Sequence, residues 1–295
     1  MLVNIKQVDA FTNIPFGGNP AGVVTEADGL DDEIKQKIAR EMNLSETAFV
    51  SKSDAADFKI QFFTPRFELD LAGHPTIAVF SVLDEEGKLD TDKSIYYQET
   101  KAGILPVERK KINDKEVFMM TQASPKFKEV KIDRSEAAGF LGLDEEDILE
   151  LPIVKVSTGI WWIVIGVKKL EKLVSLKPDL KVIEAVSREF NAVGVTPFCI
   201  DSLNKSYDYH IRAFAPLAGV SEDPVCGTGN GCVSSYIVKN GLIECGKAVN
   251  LIGEQGNEVD RPGCVYVNIK KNSGSIEEVK IGGTAVTILD GNMVF

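Results

Sequence analysis

Two stretches of this chain repeat one local pattern, and that internal duplication limits the fold more than any other feature. The first runs from Asp57-Phe58-Lys59-Ile60-Gln61-Phe62-Phe63 through Ala72-Gly73-His74-Pro75-Thr76 to Gly87. The second runs from Asp208-Tyr209-His210-Ile211-Arg212-Ala213-Phe214 through Cys226-Gly227-Thr228-Gly229-Asn230 to Gly241. Each opens on an alternating run that reads as a strand. A Pro follows at the second position past the Phe (Pro65, Pro216), then an acidic loop, then a small residue and Gly. The interval from Gly73 to Gly87 equals that from Gly227 to Gly241. It suits a helix of about four turns, entered through small residues and stopped by a Gly.

The echo extends upstream, where Asn43 to Phe49 faces Asn191 to Phe198, and its offset grows along the chain as small insertions would require. A repeat this long is a domain duplication, since solenoid periods are much shorter. The expected first copy has strands at Leu2 to Val8, Ala21 to Thr25 and Ala48 to Lys52, a helix from about Asp31, the repeat strand and helix, and strands at 95–100, 104–108 and 117–121. Ser124-Pro125 is the expected linker. The second copy should follow with strands at 152–156 and 161–167, a helix over Pro178 to Phe190, the repeat strand and helix, and strands near 246–252, 264–269 and 276–281.

The first turn of a helix leaves backbone N–H groups unpaired and carries the positive end of the dipole. Two such starts directed at one cleft would clamp a small carboxylate, with Gly73, His74, Gly227 and Thr228 as backbone donors. The 295 residues carry 44 acids against 33 bases, a net charge of -11 with no basic stripe, which disfavours nucleic acid and anionic membranes as partners. No apolar run is long enough to cross a bilayer, and the N-terminus reads straight into a strand without a targeting signal. The five cysteines are scattered without a C-x-x-C pair, which suggests neither zinc nor a disulfide framework and fits a reduced, cytoplasmic protein.

The chain resembles the phenazine-biosynthesis PhzF family along essentially its whole length. The resemblance rests on Gly18-Asn19-Pro20 with Val23-Val24, on Leu44-Ser45-Glu46-Thr47-Ala48-Phe49, and on Phe63-Thr64-Pro65 with Glu68 and Ala72-Gly73-His74. In the second half it rests on Phe214-Ala215-Pro216, Glu222-Asp223-Pro224 and Gly227. It implies an α/β (α+β) fold like that of diaminopimelate epimerase: two pseudo-symmetric domains, each a mostly antiparallel sheet wrapped around a central helix, with the active site between them. The expected domains are 1–122, completed by about 284–295, and 126–283. The implied activity is a cofactor-free isomerisation on a small carboxylate, without metal, in a protein that can be a homodimer.

Glu46 is the sharpest candidate. It sits between Leu44 and Phe49, where the second copy has Gly194-Val195, so a shared scaffold carries a carboxylate in one copy only. A carboxyl there can give and take a proton beside a bound substrate. The resemblance places the general acid/base at Glu46 and implies catalytic pocket roles for His74 and Asp223. It implies substrate binding by Asn19, Ser45, Gly73, Cys226, Gly227 and Thr228. Read from the residues alone, His74 is a helix-start cap and Asp223 an acidic turn before a Pro. Trp161-Trp162 reads as core and domain interface, and His210, in mid-strand, as structural.

Cys226 raises an alternative. Cys226-Gly227-Thr228-Gly229 looks like the second thiol motif of diaminopimelate epimerase, and an amino-acid racemase or epimerase would use it; the equivalent first position is Ala72, so one thiol is missing. A non-catalytic protein that binds small carboxylates could use the same clamp. A dinucleotide loop at Gly227-Thr228-Gly229-Asn230-Gly231 lacks the third glycine of its motif, because Cys232 fills that place.

Overall fold

The computed structural model describes residues 2–295. In chain order its first part holds β1 (Leu2–Ala10), β2 (Asn19–Val24), α1 (Asp32–Met42), β3 (Glu46–Ser51), β4 (Phe58–Phe63), β5 (Glu68–Leu69), α2 (Gly73–Glu85), β6 (Ile95–Thr100), β7 (Gly103–Ile112) and β8 (Lys115–Thr121). There follow β9 (Lys126–Glu129), α3 (Arg134–Leu141), β10 (Val154–Ser157), β11 (Trp161–Gly166), α4 (Leu170–Val174), α5 (Leu180–Glu189), β12 (Gly194–Cys199), β13 (Tyr209–Ile211), α6 (Gly227–Lys239), β14 (Ala248–Gln255), β15 (Gly263–Asn272), β16 (Ser275–Gly283) and β17 (Ala285–Val294). The chain divides into two units, one running to Thr121 and taking back Gly282–Phe295, the other Gln122–Ile281.

The two units pair their strands in the same way. In the first, β17 and β2 flank β1 antiparallel, β2 and β3 are parallel, β3 and β4 antiparallel, β4 and β6 parallel, and β6, β7 and β8 antiparallel. In the second, β9 and β11 flank β10 antiparallel, β11 and β12 are parallel, β12 and β13 antiparallel, β13 and β14 parallel, and β14 and β15 antiparallel. Each parallel pair needs a crossover, which a helix-bearing connection supplies. α1 crosses from β2 to β3 and α2 from β4 to β6; α5 and α6 do the same in the second unit. The outer strand beside β10 comes from the segment after the unit boundary, whereas the one beside β1 is the last strand of the chain. Each unit is thus a mostly antiparallel sheet with one helix at its centre.

That centre explains why α2 and α6 carry apolar or small residues all round. Thr76 to Phe80, Val82 and Leu83 are buried in α2, and Gly229 to Val238 in α6. A helix buried on every side shows no amphipathic stripe. Phe80 packs against Phe58, Tyr96 and Phe118 at ring distances of 6.1, 6.0 and 5.9 Å, so its truncation would cost about 3–5 kcal/mol. The crossover helices α1 and α5 lie at the surface and are capped by Asp31 and Asp179, which accept from backbone N–H groups of the first turn.

The second repeat strand stops early. β13 ends at Ile211 rather than Phe214, because β12 presents Pro197 opposite Arg212. The Arg212 N–H donates to the Pro197 carbonyl at 3.0 Å, but proline has no N–H to return. Pairing resumes at Val195 and Phe214, whose backbones exchange both bonds at 2.9 Å. The short elements β5, β9, α3 and α4 go beyond the alternation read in the sequence. α3 had a signal in Asp133, which caps it, and in Gly142, which ends it at φ 70.

Candidate active site

Five of the nine candidate residues lie in the first unit. Glu46 opens β3, where parallel pairing sets it beside Ala21 of β2. His74 is the second residue of α2, and its Nε2 lies 3.1 Å from Glu46 Oε2. The same nitrogen shares a hydrogen bond of 3.2 Å with Ser45 Oγ. Glu46 Oε2 is shielded from solvent yet has no partner of hydrogen-bond geometry among the described residues. A buried carboxylate oxygen left in this condition is costly unless something else engages it. Gly73 precedes His74, and a Cβ there would meet only Met120 Sδ, at 3.9 Å. The glycine is therefore not demanded by packing, and the backbone at the start of α2 is left open to approach. Asn19 begins β2 opposite Ala10 and is buried.

The other four lie in the second unit around the start of α6. Cys226 caps the helix, its Sγ accepting from the Gly229 N–H at 3.3 Å. Thr228 Oγ1 lies 3.5 Å from that sulfur and accepts from Trp162 Nε1 at 3.0 Å. Asp223 donates its backbone N–H to the Ala213 carbonyl at 2.8 Å, and its own carbonyl accepts from Gln255 Nε2 at 2.7 Å. Gln255 Oε1 accepts from the Cys226 N–H at 2.9 Å and from Asn230 Nδ2 at 3.1 Å. This one buried amide ties Asp223, Cys226 and α6 to the end of β14. Burial, and after it the Asp223 carboxylate, push the Cys226 thiol well above the ordinary thiol range.

Residues 8–291 match the phenazine biosynthesis-like protein family. The chain belongs to that family. It is 38% identical over 284 residues to an uncharacterized isomerase of Bacillus subtilis, covering 96% of this chain and 95% of that protein. It is 30% identical over 293 residues to the trans-2,3-dihydro-3-hydroxyanthranilate isomerase of Pseudomonas fluorescens, covering 99% of both. The crystal structure of a PhzF-family phenazine biosynthesis protein of Bacillus anthracis superposes with a TM-score of 0.92 at 36% identity over 100% of both chains.

Beside the candidate residues, this PhzF-family protein has buried charges that sequence reading did not place. His210 is fully buried, with Nδ1 2.7 Å from Glu254 Oε2 and Nε2 2.9 Å from Glu258 Oε1. Burial alone would lower its pKa, but the two glutamates outweigh that and raise it to about 9. Glu254 also accepts from the backbone N–H groups of Leu203 and Asn204, at 2.7 and 2.9 Å. Arg212 makes a two-pronged pair with Glu222, both contacts at 2.8 Å, and donates to carbonyls at the end of α4. The signal was available in the alternation: His210 and Arg212 stand two apart in the repeat run, although β13 ends between them, as Lys59 and Gln61 stand two apart on β4. Among the described residues no three His, Cys, Asp or Glu side chains are disposed to hold a metal ion, and no helix is long and apolar enough to cross a membrane.

Proposed function

We propose that this protein is a cofactor-independent isomerase that moves a proton on a small carboxylate substrate, with Glu46 as the general acid/base. The observation that carries this reading is the shielded Glu46 Oε2, unsatisfied and 3.1 Å from His74 Nε2. A substrate O–H or N–H placed there would complete its bonding, a substrate C–H there would lie within reach of the base, and Ser45 holds the imidazole beside it. Positioned acid/base groups contribute roughly 10²–10⁴-fold in rate. In the same proposal the backbone donors at each helix start, Gly73 and His74 in the first unit and Gly227 and Thr228 in the second, suit a carboxylate, and Asp223 suits a polar group of a ligand held at the second start.

A racemase that used Cys226 would need a thiolate, and the upward push on that thiol leaves little thiolate near neutral pH. The equivalent position in the first copy is Ala72, which offers no second thiol. The acidic composition and five free cysteines suit a cytoplasmic enzyme.

The relative from Pseudomonas fluorescens supplies the first substrate to try. Incubation with trans-2,3-dihydro-3-hydroxyanthranilate in deuterated water, without added metal or nicotinamide, should give isomerised product that carries solvent deuterium. Neither conversion nor exchange, with this compound or with other small carboxylates bearing a labile C–H, would contradict the proposal.

A further inference from the structure

The duplication allows a residue-by-residue comparison of what each copy places next to its central helix. Parallel pairing sets Ala21 beside Glu46 in the first unit and Trp162 beside Gly194 in the second. Small residue and acid in one copy thus face aromatic and glycine in the other. His74 and Thr228 are also equivalent, each being the second residue of its central helix. In the first copy Glu46 Oε2 reaches His74 Nε2 at 3.1 Å. In the second, Trp162 Nε1 reaches Thr228 Oγ1 at 3.0 Å. The indole has taken over the space and the reach of the acid.

Space confirms the exchange. A Cβ built on Gly194 would lie 2.0 Å from the Phe214 carbonyl oxygen and 2.9 Å from Trp162 Cζ3. No side chain fits at that position, so the second copy cannot carry a counterpart of Glu46. The exchange also reverses a polarity. A carboxylate accepts, whereas an indole N–H only donates. With the indole proton on its oxygen, the Thr228 hydroxyl must aim its own proton elsewhere. Its near neighbour is Cys226 Sγ at 3.5 Å, a weak acceptor.

We propose that Trp162 is a positioning residue that holds the half-buried Thr228 hydroxyl as a hydrogen-bond donor toward the carboxylate of the ligand. The proposal rests on the assignment of Thr228 to carboxylate binding and adds the device that fixes the hydroxyl's polarity. It also gives the second copy a defined part: anion binding at its own helix start, with no acid at the place of Gly194.

The chain has two tryptophans, so the ¹⁵N-labelled protein shows two indole resonances, which Trp161→Phe assigns. Sodium benzoate serves as an unreactive carboxylate probe, with sodium chloride at equal ionic strength as control. The Trp162 indole resonance should move saturably with benzoate and stay in place with chloride. Thr228→Val should abolish the movement and Thr228→Ser should retain it. Trp162→Phe keeps an aromatic ring without the N–H, and by calorimetry should weaken benzoate roughly threefold to tenfold, the worth of one hydrogen bond. An indole resonance indifferent to benzoate, or one that moves equally in Thr228→Val, overturns the proposal. So does a Trp162→Phe protein of lower melting temperature and unchanged benzoate affinity. The isomerase reading fails separately, through a Glu46→Gln enzyme with full turnover, because benzoate binding involves no proton transfer.

Discussion

At the start of α2 the cap is Ala72 and the next polar side chain, His74, meets a carboxylate; at the start of α6 the cap is Cys226 and Thr228 meets an indole. The scaffolds beneath are alike. Both helices have 13 residues, both caps are extended, and both are followed by a glycine, at φ 65 for Gly87 and φ 66 for Gly241. In both, the fourth helical residue bonds back to the cap carbonyl, Thr76 to Ala72 at 2.7 Å and Asn230 to Cys226 at 2.9 Å. Backbone needs such as these are the same in either copy, so they are retained together. The polar side chains at the two helix starts share no such backbone requirement, and those have diverged.

The same contrast holds beneath the sites, where it can be broken by measurement. Arg212 and Glu222 form a two-pronged buried pair, whereas their counterparts Gln61 and Glu68 share one hydrogen bond of 3.1 Å. Arg212→Ala strands a buried carboxylate and should cost about 3–5 kcal/mol in urea unfolding. Gln61 also accepts from Lys35 Nζ at 2.7 Å and donates to Asp32 Oδ1 at 3.0 Å, but its loss strands no carboxylate without a charged partner, so Gln61→Ala should cost less, about 2 kcal/mol. Similar losses at both positions would contradict the difference in how the two strands are anchored.

His210 and its counterpart Lys59 differ in the same sense. His210 is sealed between two glutamates, while Lys59 lies 4.0 Å from Glu99 with both side chains partly exposed. Because the folded-state pKa of His210 is raised to about 9, from an ordinary value of about 6.5, its stabilisation is fully present below about pH 6.5. It fades as pH rises through about 9. Unfolding free energy should therefore fall by a few kcal/mol across that window, and His210→Gln should flatten the fall. Lys59→Gln should move stability by less than about 1 kcal/mol. A pH profile unchanged by His210→Gln would show that the histidine is held neutral.

The smallest expected difference between the copies is at the two helix ends. A Cβ at Gly87 or Gly241 would meet nothing within 4 Å, so only the left-handed backbone opposes a side chain. Gly87→Ala and Gly241→Ala should each cost about 1 kcal/mol, and by the same amount, in thermal unfolding. Unequal costs would mean that the two helix ends are not equivalent.

Much of this was legible in the sequence because a duplication writes each backbone requirement twice. The strand, Pro, small residue, helix and Gly could be read from Phe63 to Gly87 and checked from Phe214 to Gly241. Glu46 stood out for the complementary reason, as an acid without a counterpart. What could not be read were contacts between residues far apart in the chain. Gln255 joins Asp223 to Cys226, and nothing near Gln255 in sequence announces it. Trp162 looked like core because its partner, Thr228, lies on another element. The early end of β13 depended on Pro197, whose effect is felt across the ladder rather than along the chain.

If proton transfer belongs to the first copy alone, two variants should separate the copies sharply. With trans-2,3-dihydro-3-hydroxyanthranilate, or whichever small carboxylate shows exchange, deuterium incorporation from solvent is measured for Glu46→Gln and for Cys226→Ala. Glu46→Gln preserves size and hydrogen bonding but removes the titratable group, and should slow incorporation roughly 10²–10⁴-fold while ligand binding survives. Cys226→Ala should cost far less, since Ala72 already fills the equivalent place. Exchange abolished by Cys226→Ala and untouched by Glu46→Gln would contradict the account and assign the proton to the thiol.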